Sequence, residues 1–447
     1  VSEQPTTAPG VESVNKSRLF LLSVIALATT GMMFSIRGGV AAELQRTFFD
    51  PIDPVNAAAL VTKVIGFEFL GFAVSVLFGS PLCDTLGMGR LLQLSALLFL
   101  GGTVATVLAP VTMSAQMVLS LSMLSVGLAR GLVEAVINPL IATIYADDKT
   151  HRLNVLHAWW PGGIIIGGLI AATPLGWKLK MGLALIPTLV FLIMSVQSKF
   201  PPTERVQAKI STQETVRTVL NPLFILLMCC MMLTASSELA PGQWVDSALT
   251  RTVHMRGIWL LIYVSGLMFV MRHFAGSFAH RLSPIGLLFC SCAMASLGLF
   301  ALSHANSPFT GLLSATLWGI GVCYMWPTML GVTSERFARG GALALGMMGS
   351  VGNLAIFLVL PMIGAHFDKV KVAAAGGPAL FKALEEGAKH APAIKAQLDV
   401  VLVQASGASF VYVAKLPAVL IFVFGIWWLK LKASGGYKAE NLLAQES

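Results

Sequence analysis

The chain has 447 residues, 56% of them apolar and only 11% charged, with a formal net charge of +9 and a mean hydropathy of +0.78. A soluble domain carries about a quarter charged residues, so this composition excludes a water-facing globule and points to a bilayer, where helices satisfy their own backbone hydrogen bonds. The positive charge is not a nucleic-acid footprint, since no basic stretch is interleaved with exposed aromatics; it fits loops lying beside anionic lipid.

In chain order, residues 1–17 form a polar tail rich in Ser, Thr and Pro. It lacks a signal-peptide pattern, so the first apolar segment is expected to remain in the mature protein. Segments of about 20 apolar residues, long enough to cross a bilayer, number twelve. They lie near 18–46, 59–81, 91–110, 113–144, 153–174, 179–197, 221–249, 257–279, 284–303, 308–334, 341–366 and 409–431. The polar stretch 199–218 divides them six and six, giving bundles at 18–198 and 219–432, with a tail at 433–447. An Ala-rich segment at 367–408, with scattered Lys and Glu, reads as one or two surface helices outside the membrane.

Lys and Arg concentrate in one set of short loops, among them Lys149, Arg152, Arg205 and Arg339. By the positive-inside bias both termini are expected in the cytoplasm, in a cell membrane of the bacterial inner-membrane kind. The six cysteines lie in or beside spans and show neither a disulfide framework nor a zinc spacing. No metal, cofactor or enzyme constellation is expected, since no nucleotide loop or nucleophile elbow is present.

The halves echo one another. Asn138-Pro139-Leu140 in the fourth span matches Trp326-Pro327-Thr328 in the tenth, and an acid follows eight residues after each proline, at Asp147 and Glu335. Internal repeats around a midplane cavity are a common build of secondary transporters.

Gly79 to Arg90 reads GSPLCDTLGMGR, and its Asp84, Gly87 and Arg90 spacing resembles the loop between the second and third helices of the major facilitator superfamily. Leu132 to Gly163 carries Glu134, Asn138-Pro139 and Arg152-Leu153-Asn154 in the order of the fucose permease branch, the sugar:proton symporters. Glu238, Trp244, Arg272, Gly276 and Pro327 extend the resemblance into the second half. It implies an all-α membrane protein of twelve helices in two pseudo-symmetric six-helix bundles, alternating access, and solute uptake driven by protons. It also departs from that branch. The place of the first-helix aspartate falls at Gly38 beside Arg37, the sugar-touching asparagine corresponds to Trp160, and a nearby glutamine corresponds to His157.

Charge inside a span costs about 2.5–3.5 kcal/mol on insertion scales, so it faces a cavity or a partner. Arg37, Glu68, Arg130, Glu134 and Glu238 all fall well inside spans. Arg130 and Glu134, one turn apart, are expected to pair on one face, with Arg37 competing for Glu134. Glu134 is the candidate proton acceptor. His157 and Trp160, with Asn138, suit a hydroxylated solute. Gln243 and Trp244 beside Pro241-Gly242 suggest an interrupted seventh helix, and Asn353 offers an amide. Asp84, Arg90 and Arg272 are expected to gate. These residues point to a monomeric carrier of a small polar solute, a sugar or polyol with protons. A carboxylate bound by Arg37 and Arg130 is the alternative cargo, and a non-transporting ligand sensor of the same fold the alternative class.

Overall fold

A backbone in hydrocarbon has no water to bond with, so it must close its own hydrogen bonds. The computed structural model accordingly forms helices throughout, with no strand among the described residues, which are 14–49, 51, 57–112, 114–252, 257–275, 281–440 and 442. Most of the N-terminal tail lies outside them. The first five spans are Lys16–Leu44, Ala57–Thr85, Met88–Val107, Ala115–Ile144 and Lys149–Ala172. The sixth breaks at Ala184 into Trp177–Leu183 and Leu185–Val196. After two short linker helices, Glu204–Gln207 and Thr212–Val219, come Pro222–Thr252, Gly257–His273 and Pro284–Leu302. The tenth span is Pro308–Val322 followed by Met325–Arg336, the eleventh Gly341–Ala374 and the twelfth Pro392–Ala433. Eleven of these are long and apolar enough to cross a bilayer; the eighth, apolar but only 17 residues long, completes twelve.

Two expectations need correcting. The 367–408 segment is not mainly separate surface helices, because the eleventh and twelfth spans run on through most of it. Only Pro378–Ala388 stands apart. The seventh helix is likewise not interrupted, since Pro222–Thr252 continues through Pro241.

Packing repeats between the halves. The first span lies against the fifth and the seventh against the eleventh; the third meets the fourth and sixth as the ninth meets the tenth and twelfth. Without a hydrophobic drive between helices in lipid, close approach relies on small residues. Gly163 faces the backbone of Ala28, and Gly127 faces the backbone of Glu68, so close that a Cβ at either position would collide. The second contact presses Glu68 onto the fourth span. Large apolar side chains such as Phe78, Phe309 and Phe422 point outward and form a lipid-facing surface.

The halves meet through the second and eleventh, fifth and eighth, and fifth and tenth spans. At the face bearing both termini the contact is polar. Lys149 Nζ donates to both Glu204 oxygens (3.0 and 2.7 Å) and to the Ser334 carbonyl (3.2 Å). Glu335 accepts from the Thr150 amide (3.0 Å), the Thr150 hydroxyl (2.6 Å) and the Tyr437 hydroxyl (2.7 Å). Asn154 Nδ2 donates to Thr328 Oγ1 at 3.2 Å. These bonds close that face.

Candidate functional site

Proline inside a helix frees the carbonyl four residues earlier, and a freed carbonyl in a bilayer needs a donor. Pro139 frees Ala135, whose carbonyl takes the Cys83 thiol at 3.3 Å. Pro241 frees Ser237, which accepts from the Trp318 indole at 3.1 Å. Two more prolines expose carbonyls that converge on one side chain. Pro161 frees His157 and Pro327 frees Cys323, and Arg272 donates to both carbonyls, at 2.7 and 2.6 Å. Its remaining amino group reaches Glu238 Oε1 at 2.9 Å. Arg272, on the eighth span, therefore joins the fifth, seventh and tenth spans and ties one half to the other.

Across the cavity a second cluster forms within the first half. Arg37 and Arg130 both donate to the same oxygen of Glu68, and all three are buried. The expected Arg130–Glu134 pair is not made. The close contact at Gly127 brings the second span near enough for Glu68 to take Arg130, and Arg37 likewise pairs with Glu68 rather than Glu134. The Arg130 guanidinium sits between the Phe34 and Phe72 rings, 5.6 Å from each centroid, a favourable cation–π setting.

Glu134 is thus left without a directly paired arginine. Asn138 Nδ2 donates to its Oε2 at 2.9 Å, and the Asn138 Oδ1 accepts from His157 Nε2 at 2.8 Å. With the amide oriented in this way, the imidazole carries its proton on Nε2. His157 Nε2 lies 3.9 Å from Glu134 Oε2, and among the described residues no Arg or Lys lies within ion-pair distance of that carboxylate.

Glu134, His157, Arg130, Trp160 and Phe72 from the first half face Glu238, Leu239, Arg272, Trp326 and Asn353 from the second across a cavity of about 50 Å³. That is room for a few water molecules, well below the ~300 Å³ of a typical ligand pocket. A solute would be admitted only when the halves part. The cavity brings together most of the binding candidates, and it includes Arg272. Arg37 and Glu68 stand behind Arg130, and Asn138 behind Glu134. The side chains of Gln243 and Trp244, and Gly276, lie outside the described residues.

Of the other gate candidates, Asp84 accepts from Arg205 and from Thr203 Oγ1 (2.6 Å) on the linker, while Arg90 is exposed. The closing residues Lys149, Thr150, Glu204 and Tyr437 carry no motif. Their signals in the sequence are the place of Lys149 among the basic loop residues and the position of Lys149 and Thr150 directly after Asp147-Asp148.

The sequence profile of the Major Facilitator Superfamily matches residues 18–360. No curated protein matches the chain. Among solved structures, the chain is similar to the proton:xylose symporter XylE of E. coli at 14% identity, with 91% of this chain and 94% of that one covered and a TM-score of 0.69. It is similar to the E. coli fucose:proton symporter FucP at 14% identity, over 92% and 98% of the two chains, with a TM-score of 0.67. The human organic anion transporter MFSD10 aligns at 12% identity over 92% and 99%, with a TM-score of 0.66.

Proposed function

The chain belongs to the Major Facilitator Superfamily, and from that premise we propose that it is a proton-coupled secondary transporter. It carries a small polar, hydroxylated solute of the sugar or polyol class by alternating access. The observation that carries this reading is Glu134. Glu68 and Glu238 are held by arginines, whereas Glu134 opens on the cavity with Asn138 bonded to it and His157 beside it, and no ion pair to Arg or Lys among the described residues. A carboxylate free of a fixed cation can gain and lose a proton as the halves alternate, and so bias the two-state equilibrium. The Trp160 and Trp326 faces and the Asn353 amide suit the apolar faces and hydroxyls of such a solute. Sugar:proton symporters among the structural neighbours agree with this reading. In it the chain works as a monomer, and the closed, termini-bearing face is cytoplasmic.

The test is solute-evoked alkalinisation outside proteoliposomes, read with an external pH dye across a panel of sugars, polyols and organic acids. At least one solute should draw protons inward through the wild type, and the signal should vanish in Glu134→Gln. Solute uptake without proton movement in the wild type would refute the coupling.

A further inference from the structure

Resting on the symport reading, the charges around the cavity specify the cargo further. Three guanidiniums, of Arg37, Arg130 and Arg272, face three carboxylates, of Glu68, Glu134 and Glu238. Among the described residues these, with His157, are the titratable and charged groups that the first, second, fourth, fifth, seventh and eighth spans bring to the cavity around Glu134. The facing parts of the tenth and eleventh spans contribute Trp326 and Asn353, which do not titrate. With Glu134 ionised and the imidazole neutral, the set balances. Once Glu134 is protonated, one positive charge is left over in a buried site, which is costly unless an anion arrives with the proton.

The geometry locates that surplus. Arg37 and Arg130 share a single oxygen of Glu68, and the Nε of each is buried without an acceptor among the described residues. Of the two, only Arg130 lines the cavity, held in place by Phe34 and Phe72. We propose that the solute is a hydroxylated monocarboxylate, a sugar acid in chemical class, whose carboxylate binds Arg130 while its hydroxyls meet His157 and Asn353 between Trp160 and Trp326. The proton on Glu134 and the charge on the solute cancel, so the loaded cavity has the same net charge as the empty one.

The experiment compares gluconate with glucose and sorbitol on the purified full chain, by binding and by flux in proteoliposomes. Gluconate should bind and drive proton uptake with no net current, because one proton accompanies one anion. Arg130→Gln should weaken gluconate binding by roughly tenfold to a hundredfold, the loss expected for a charge-assisted contact, and Arg130→Lys should recover part of it. Binding of glucose or sorbitol as well as or better than gluconate, with an inward proton current, overturns this inference and leaves the symport reading standing. Failure of all three to bind a folded protein overturns this inference, while the symport reading is decided by proton movement across the wider solute panel.

Discussion

Replacing Lys149 by methionine should open the termini-bearing face. Lys149 is 1% exposed at its side chain and Glu204 9%, so the substitution keeps the bulk and strands the acid. Breaking a buried pair costs about 3–5 kcal/mol. Glu204 recovers part of this by protonating or by meeting water when the face opens, so the shift toward the open form should be about 2–3 kcal/mol. At about 1.4 kcal/mol per decade that is roughly 30- to 140-fold. Thr328 reports the opening, since it is fully buried and bonded across the halves to Asn154. In a background freed of the native cysteines, a water-soluble maleimide should label Thr328→Cys at least about thirtyfold faster when Lys149→Met is added. The acceleration saturates once opening no longer limits the rate. Lys149→Arg, which keeps the cation, should restore most of the protection. Unchanged labelling in Lys149→Met would refute the argument that this pair holds the halves together.

Two further outcomes follow from the same contacts. Burial in the closed face pushes the Glu204 carboxyl above the usual carboxylate range, outweighing the Lys149 ammonium. The closed form then binds the proton more tightly than the open, solvated one. Closure is therefore fully favoured below the ordinary carboxylate value and weakens as pH rises through the raised one. Thr328→Cys labelling should accelerate across that window, and Glu204→Gln should flatten the profile. Pro161→Ala supplies the amide that the His157 carbonyl lacks, so Arg272 meets a competing donor there. Weakening this charge-assisted bond by about 1.5 kcal/mol should raise hydrogen exchange in the segment Met325–Arg336 roughly tenfold. No change would mean that the carbonyl serves both donors and that the proline is not what reserves it for Arg272.

Hydropathy alone placed the twelve spans, because a bilayer imposes one length and one polarity on every crossing. Glu134 and Asn138, four apart, must also share a face, but the same spacing pointed Glu134 toward Arg130 instead. The partner of Arg130 was not legible. Its contact with Glu68 depends on how closely two helices approach, and that is set by Gly127 against a backbone 59 positions away. Spacing along one helix favoured Glu134, but tertiary packing chose otherwise. Arg272 was legible as a charge in a span, yet its role emerges only when two distant prolines, Pro161 and Pro327, are seen to free the carbonyls it binds. The Pro139–Pro327 echo also has different local outcomes. Pro139 lies within an unbroken helix, whereas Pro327 falls in the first turn of a new one after a break at Cys323 and Tyr324. Tyr437 had no signal, since nothing in a polar tail announces that its hydroxyl reaches Glu335.

In the proposed cycle Glu134 couples solute movement to protons without being needed for the movement itself. Its most direct test is Glu134→Gln in proteoliposomes, with pH-driven accumulation and solute counterflow measured on the same preparation. Accumulation should be lost while counterflow persists, because the neutral amide mimics the protonated, solute-loaded carrier. Accumulation at the wild-type level in Glu134→Gln would contradict it.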